Sequence, residues 1–155
     1  MNKKFSIFVT GLSLATLCAV ASADNCSGTY TNAWRTADKQ DLGKGITLTN
    51  ISSLTSSAYN NSDEVRIGSC TGYVLTMADG KSRVVYACAR KNKAGDVVVD
   101  EGSLEPGADR GTWKVTSATG ALAKSIGDSG WWTPVVDDGK GRRADESSVT
   151  VKVTM

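Results

Sequence analysis

Hydrophobic positions in this chain fall in short, β-branched runs broken by turn residues, a pattern that predicts strands rather than helices. The clearest alternation is C-terminal. There Val149, Val151 and Val153 interleave with Thr150, Lys152 and Thr154, as on a half-buried strand. Strands are predicted at residues 28–34, 45–51, 70–77, 82–91, 96–101, 111–116, 130–136 and 147–155. Residues 52–64, rich in Ser, Thr and Asn, read as a polar loop or as a strand too poorly patterned to define. Residues 118–126, with Ala121, Leu122, Ala123 and Ile126, fit a short helical turn. Asp79-Gly80, Ala94-Gly95-Asp96, Pro106-Gly107 and Asp138-Gly139 supply turn signals. The sequence therefore predicts an all-β fold, a single small antiparallel β-barrel of about eight strands, with a β-sandwich as the alternative. Closure is preferred because it hides the apolar edge of the last strand.

The N-terminus changes what the domain boundaries are. Lys3 and Lys4 precede a charge-free stretch over residues 5–20, then Ala21-Ser22-Ala23 and the polar Asp24. This is the layout of a cleavable secretory signal, here residues 1–23. A membrane anchor, which takes ~20 apolar residues, is the competing reading, and the small residues before Asp24 favour cleavage. Lipoprotein processing does not fit, since Leu17 precedes Cys18 and Asp24-Asn25 precedes Cys26. The mature chain is read as one domain, residues 24–155, in a secreted or periplasmic protein.

Charge and absent residue types narrow the function classes. The net charge of +2 belongs to the signal, because removing Lys3 and Lys4 from 18 basic residues leaves 16 against 16 acidic ones. A balanced mature chain argues against nucleic acid and against anionic lipid as partners. No other segment is apolar enough to insert in a membrane. The basic pairs Arg90-Lys91 and Arg142-Arg143 read as solvated loops. With no histidine in the chain, Ser-His-Asp and Cys-His catalysis and His-containing metal sites are excluded. No phosphate-cradling glycine loop is present, and three mature cysteines are too few for an all-thiolate zinc site. Asp137-Asp138 beside Gly139 reads as a turn, and Asp96, Asp100, Glu101 and Glu105 as a soluble loop. The reading thus includes no cofactor, no metal and no catalytic residue.

Cys70 and Cys88 carry the strongest local argument. If Ala78-Asp79-Gly80 forms a three-residue hairpin loop with Gly80 left-handed, Met77 faces Lys81. Cys70 then faces Cys88 at a non-hydrogen-bonded pair, where Cβ atoms approach closely enough for a disulfide. Gly72 meets Tyr86 and Val74 meets Val84 in that register. Export supplies the oxidising compartment. Cys26 is left over, as a buried thiol or as a replacement for one partner.

Tryptophan is the concentrated chemical signal. Trp34, Trp113, Trp131 and Trp132 are four of ten aromatic residues in the chain. On a strand, Trp131 and Trp132 must point to opposite faces, so one packs a core while its neighbour faces solvent or a partner. Trp131, Trp132 and Trp113 are the candidate ligand-binding residues, an aromatic platform for a sugar, a flat apolar ligand or a protein. Structural packing of the same rings is the competing reading.

Gly111-Thr112-Trp113, Thr119-Gly120-Ala121-Leu122-Ala123, Gly127 and Gly130-Trp131 resemble the glycine-punctuated strand–turn–strand of small calycin-type barrels, the allene oxide cyclase and dirigent-like group. The resemblance covers about twenty residues and implies an eight-stranded barrel around an apolar cavity. It transfers no catalytic residue. Together these observations favour a non-catalytic binding protein that holds a small apolar ligand or shows a Trp surface to an extracytoplasmic protein or glycan. The alternatives are a cofactor-free barrel enzyme steering an intermediate in an apolar cavity, and a secreted enzyme inhibitor.

Overall fold

The computed structural model describes residues 26–59, 64–137 and 142–150. The secretory signal, the Asp138-Gly139 turn, and Val151 and Val153 lie outside the described residues. The chain is all-β, with strands β1 (Cys26–Gly43), β2 (Ile46–Tyr59), β3 (Val65–Thr76), β4 (Ser82–Lys91), β5 (Val97–Leu104), β6 (Gly111–Ala118), β7 (Ser129–Asp137) and β8 (Arg142–Thr150). A 3-10 turn, Gly120–Ser125, sits between β6 and β7. Each strand pairs antiparallel with the next in a single sheet.

The β3–β4 hairpin has the predicted register. Gly80 has φ 81°, its N–H donates to the Met77 carbonyl at 2.9 Å, and the Met77 N–H donates to the Lys81 carbonyl at 2.8 Å. Cys70 therefore faces Cys88, Gly72 faces Tyr86 and Val74 faces Val84. The two cysteines form a disulfide across Cα atoms 4.0 Å apart, and both are buried.

Of the two readings left open for residues 52–64, the strand holds and the loop does not over residues 52–59, the second half of β2. The pattern is obscured because the buried positions of this half are Ser53, Thr55 and Ser57, while Leu54 is exposed. Arg90 is not a solvated loop residue either. It lies two residues beyond Cys88 on β4, shares its face, and is buried. The expected carboxylate loop is likewise split by β5, whose alternation buries Asp100 beside Val98 and exposes Glu101. Arg142-Arg143 open β8, and Arg143 pairs with Asp137 in the ladder.

The core sits on one face of the sheet. Val98, Trp113, Val115, Leu122 and Trp132 form a cluster against which Tyr86, Leu104 and Ala118 pack. Leu122 reaches it from the 3-10 turn. That turn is tied down by the Val97 N–H donating to Thr119 Oγ1 at 2.9 Å and the Ala121 N–H donating to Asp96 Oδ2 at 3.1 Å.

Candidate functional site

Two of the three candidate tryptophans belong to the core. Trp113 on β6 and Trp132 on β7 are 8% and 5% exposed. Their strand neighbours explain how such large rings fit. A Cβ added at Gly111 would collide with the Trp132 indole, and one at Gly102 would collide with the Tyr86 ring. Glycine thus leaves notches that the rings occupy. Tyr86 packs edge-on against both Trp132, at 5.9 Å between centroids, and Trp34, at 6.4 Å.

Trp131 faces the other way, as alternation along β7 requires. It is half-buried, opposite Thr112 of β6, with the Arg110 guanidinium 4.5 Å from its ring centre. A cation over an indole face contributes ~0.5–1 kcal/mol at an exposed site. The contact holds both side chains in one geometry on the outer surface. The outer face of the sheet also carries a shallow groove of about 780 Å³ lined by Ala33, Leu54, Ile67, Ala89 and Val97 among others.

The core face also contains polar groups that were not singled out as site residues. Arg90 and Asp100 are buried against one another in a hydrogen-bonded ion pair. Arg66 pairs with Glu64 at 2.6 Å. Asp128, just before β7, is half-buried, and its carboxyl is held above the usual range by loss of solvent, with the Arg66 charge opposing that shift. Ser53, Thr55 and Ser57 place their hydroxyls in a buried row along β2, and those three oxygens have no hydrogen-bond partner. For Arg90 the sequence carries a parity signal, two residues beyond Cys88 on one strand, whereas Asp100 follows three consecutive valines that set no parity. Among the described residues no group of three or more carboxylates or cysteines could hold a metal ion.

No family model matches the chain, and neither a curated protein nor a solved structure matches it.

Proposed function

We propose that the chain is a small extracytoplasmic, non-catalytic binding protein, a closed eight-stranded barrel that recognises another protein through an outer surface centred on Trp131 and Arg110. Export is supported by the N-terminal leader pattern together with the Cys70–Cys88 disulfide. No helix among the described residues is long and apolar enough to cross a membrane. Closure is supported by the register of β1 with β8, which runs from Cys26 opposite Val149 to Ala33 opposite Arg142. The stretch that resembles calycin-type barrels falls on β6, the 3-10 turn and β7, a strand–turn–strand as in those families.

One observation carries the choice of surface: Trp113 and Trp132 are buried, the latter in the notch left by Gly111, so of the three candidate tryptophans Trp131 is the one a partner can reach. Tryptophan and arginine are the residue types that dominate binding energy at protein interfaces, and here they are already stacked. The enzyme reading is weaker because Arg90 and Asp100 are spent on each other.

The test replaces Trp131 with a photo-crosslinking amino acid in cells that export the protein. A discrete adduct with a second polypeptide, lost in Arg110→Glu, is the expected result. A tryptophan-fluorescence response to soluble oligosaccharides, abolished by Trp131→Ala and without a protein adduct, would replace the protein partner with a glycan.

A further inference from the structure

Three of the most exposed large apolar side chains share one face of the sheet. Leu54 of β2, and Val65 and Ile67 of β3, are 74%, 53% and 65% exposed. The outward positions of these two strands carry no charge. They are Ser52, Leu54, Ser56 and Ala58 on β2, and Val65, Ile67, Ser69 and Thr71 on β3. On the flanking strands Thr31 and Ala33 of β1 and Ala87 and Ala89 of β4 continue the patch. Charge begins at Arg35 and Lys91. A contiguous uncharged surface with projecting leucine and isoleucine marks an interaction site on a soluble chain.

The strand register makes this patch complementary to itself. Leu54 pairs with Ser69, and Ser56 pairs with Ile67, so the four central positions form a checkerboard of large and small side chains. Consider a two-fold axis in the plane of contact, running along the strands between β2 and β3. It lays Leu54 of each copy over Ser69 of the other, and Ile67 over Ser56. The same operation sets β1 of one copy over β4 of the other. Ala33 then meets Ala89, Thr31 meets Lys91, and Arg35 meets Ala87, because each of these pairs shares a level in the ladder. Both cations thus face uncharged groups, and no like charges are opposed. A two-fold interface requires such self-complementarity of one surface, whereas an unrelated partner does not. The size is modest. With strands ~4.8 Å apart and ~3.3 Å per residue, four strands over about seven residues present roughly 450 Å² from each copy. That is about 900 Å² in total, in the range of weak, reversible association.

We propose that the protein forms a reversible two-fold dimer through the outer face of β2 and β3, with Leu54 and Ile67 of each copy seated on Ser69 and Ser56 of the other. In the order of the eight strands, β2–β3 lie four places from β6–β7. The dimer therefore leaves Trp131 uncovered on both copies and makes one recognition surface bivalent, which raises avidity without a new contact. The self-association itself stands independently of the role given to Trp131.

Sedimentation of the mature protein between about 10 µM and about 1 mM tests the proposal, the range in which an interface of this size dissociates. The expected result is monomer at the low end and dimer at the high end. Leu54→Asp and Ile67→Asp should each weaken the dimer at least tenfold. Leu42→Asp and Ile126→Asp, which alter exposed apolar side chains off the patch, should leave it unchanged. On dilution of the parent, the amide NMR signals that move should fall on residues 52–58 and 65–71 and on the flanking Thr31, Ala33, Ala87 and Ala89. That measurement decides the matter if an aspartate variant fails to fold. A monomer at every concentration overturns the proposal and leaves the face to a different partner. A dimer that is lost in Leu42→Asp or Ile126→Asp, or whose moving signals lie on β6 and β7, overturns it as well. So does a dimer that survives denaturant without reductant, which would be covalent through Cys26. None of these failures touches the Trp131 crosslink, so the two readings fall separately.

Discussion

Three hydroxyls on β2 are buried where the sheet would more simply carry aliphatic groups. Ser53, Thr55 and Ser57 are 5%, 4% and 1% exposed, and their oxygens lack partners. A buried, unsatisfied polar group costs ~1–3 kcal/mol relative to a matched apolar one. Valine has the shape of threonine without the hydroxyl. Thr55→Val should therefore stabilise the protein by ~1 kcal/mol, read as a rise in the urea midpoint with unchanged slope. A loss of stability would mean that the hydroxyl has a partner in solution. Asp128 gives a second residue-scale prediction. Its carboxyl holds its proton to higher pH in the folded chain than in the unfolded one, because burial disfavours the charged form. Its contribution to stability is fully present below the unfolded carboxylate range and is lost as pH rises through the raised folded value. Asp128→Asn removes that loss. The melting temperature of the variant relative to the parent should thus climb from acid to neutral pH, and a flat difference would count against the shift.

At the scale of elements, the β3–β4 hairpin was legible because a turn residue pinned it, whereas residues 35–43, the second half of β1, were not read as strand. Gly80 must be left-handed, that fixes Met77 against Lys81, and every pair back to Cys70–Cys88 follows. Trp131 and Trp132 were legible for the same reason, since alternation forces them apart whatever the register. β2 was not, because a strand is recognised by apolar inward positions and its inward positions here are Ser and Thr. Arg90 and Asp100 were hidden by their charge, which composition assigns to the surface. Their mutual ion pair offsets part of the cost of that burial. The outer role of Trp131 was open until the glycine notches fixed which indole lay inside. The disulfide joins β3 to β4 across a sequence separation of 18. Removing a native bridge from a small exported domain costs ~2–5 kcal/mol. Cys88→Ser should lower the urea midpoint accordingly, and peptide mapping without reduction should recover β3 linked to β4. Recovery of Cys26 joined to either cysteine would contradict the pairing.

For the whole molecule the decisive question is the seam between first and last strands. In an antiparallel ladder, alternate backbone N–H groups of a strand point to opposite neighbours. The N–H groups of β1 that face β2 are protected from exchange whether or not the sheet closes. Those facing the other way are protected only if β8 pairs with them, from Cys26 opposite Val149 to Ala33 opposite Arg142. An edge strand left bare would also expose a row of donors and acceptors to other chains. Amide hydrogen exchange resolved by residue therefore separates the two architectures. In the closed barrel, successive amides of residues 26–33 exchange slowly without alternation, and those of 142–149 match them. In a sandwich or an open sheet the same stretch shows a two-residue period, slow then fast. Residues 36–43 serve as the internal reference, because in the described residues they pair with β2 alone and should alternate in either case. A two-residue period running unbroken from 26 to 43 would open the barrel.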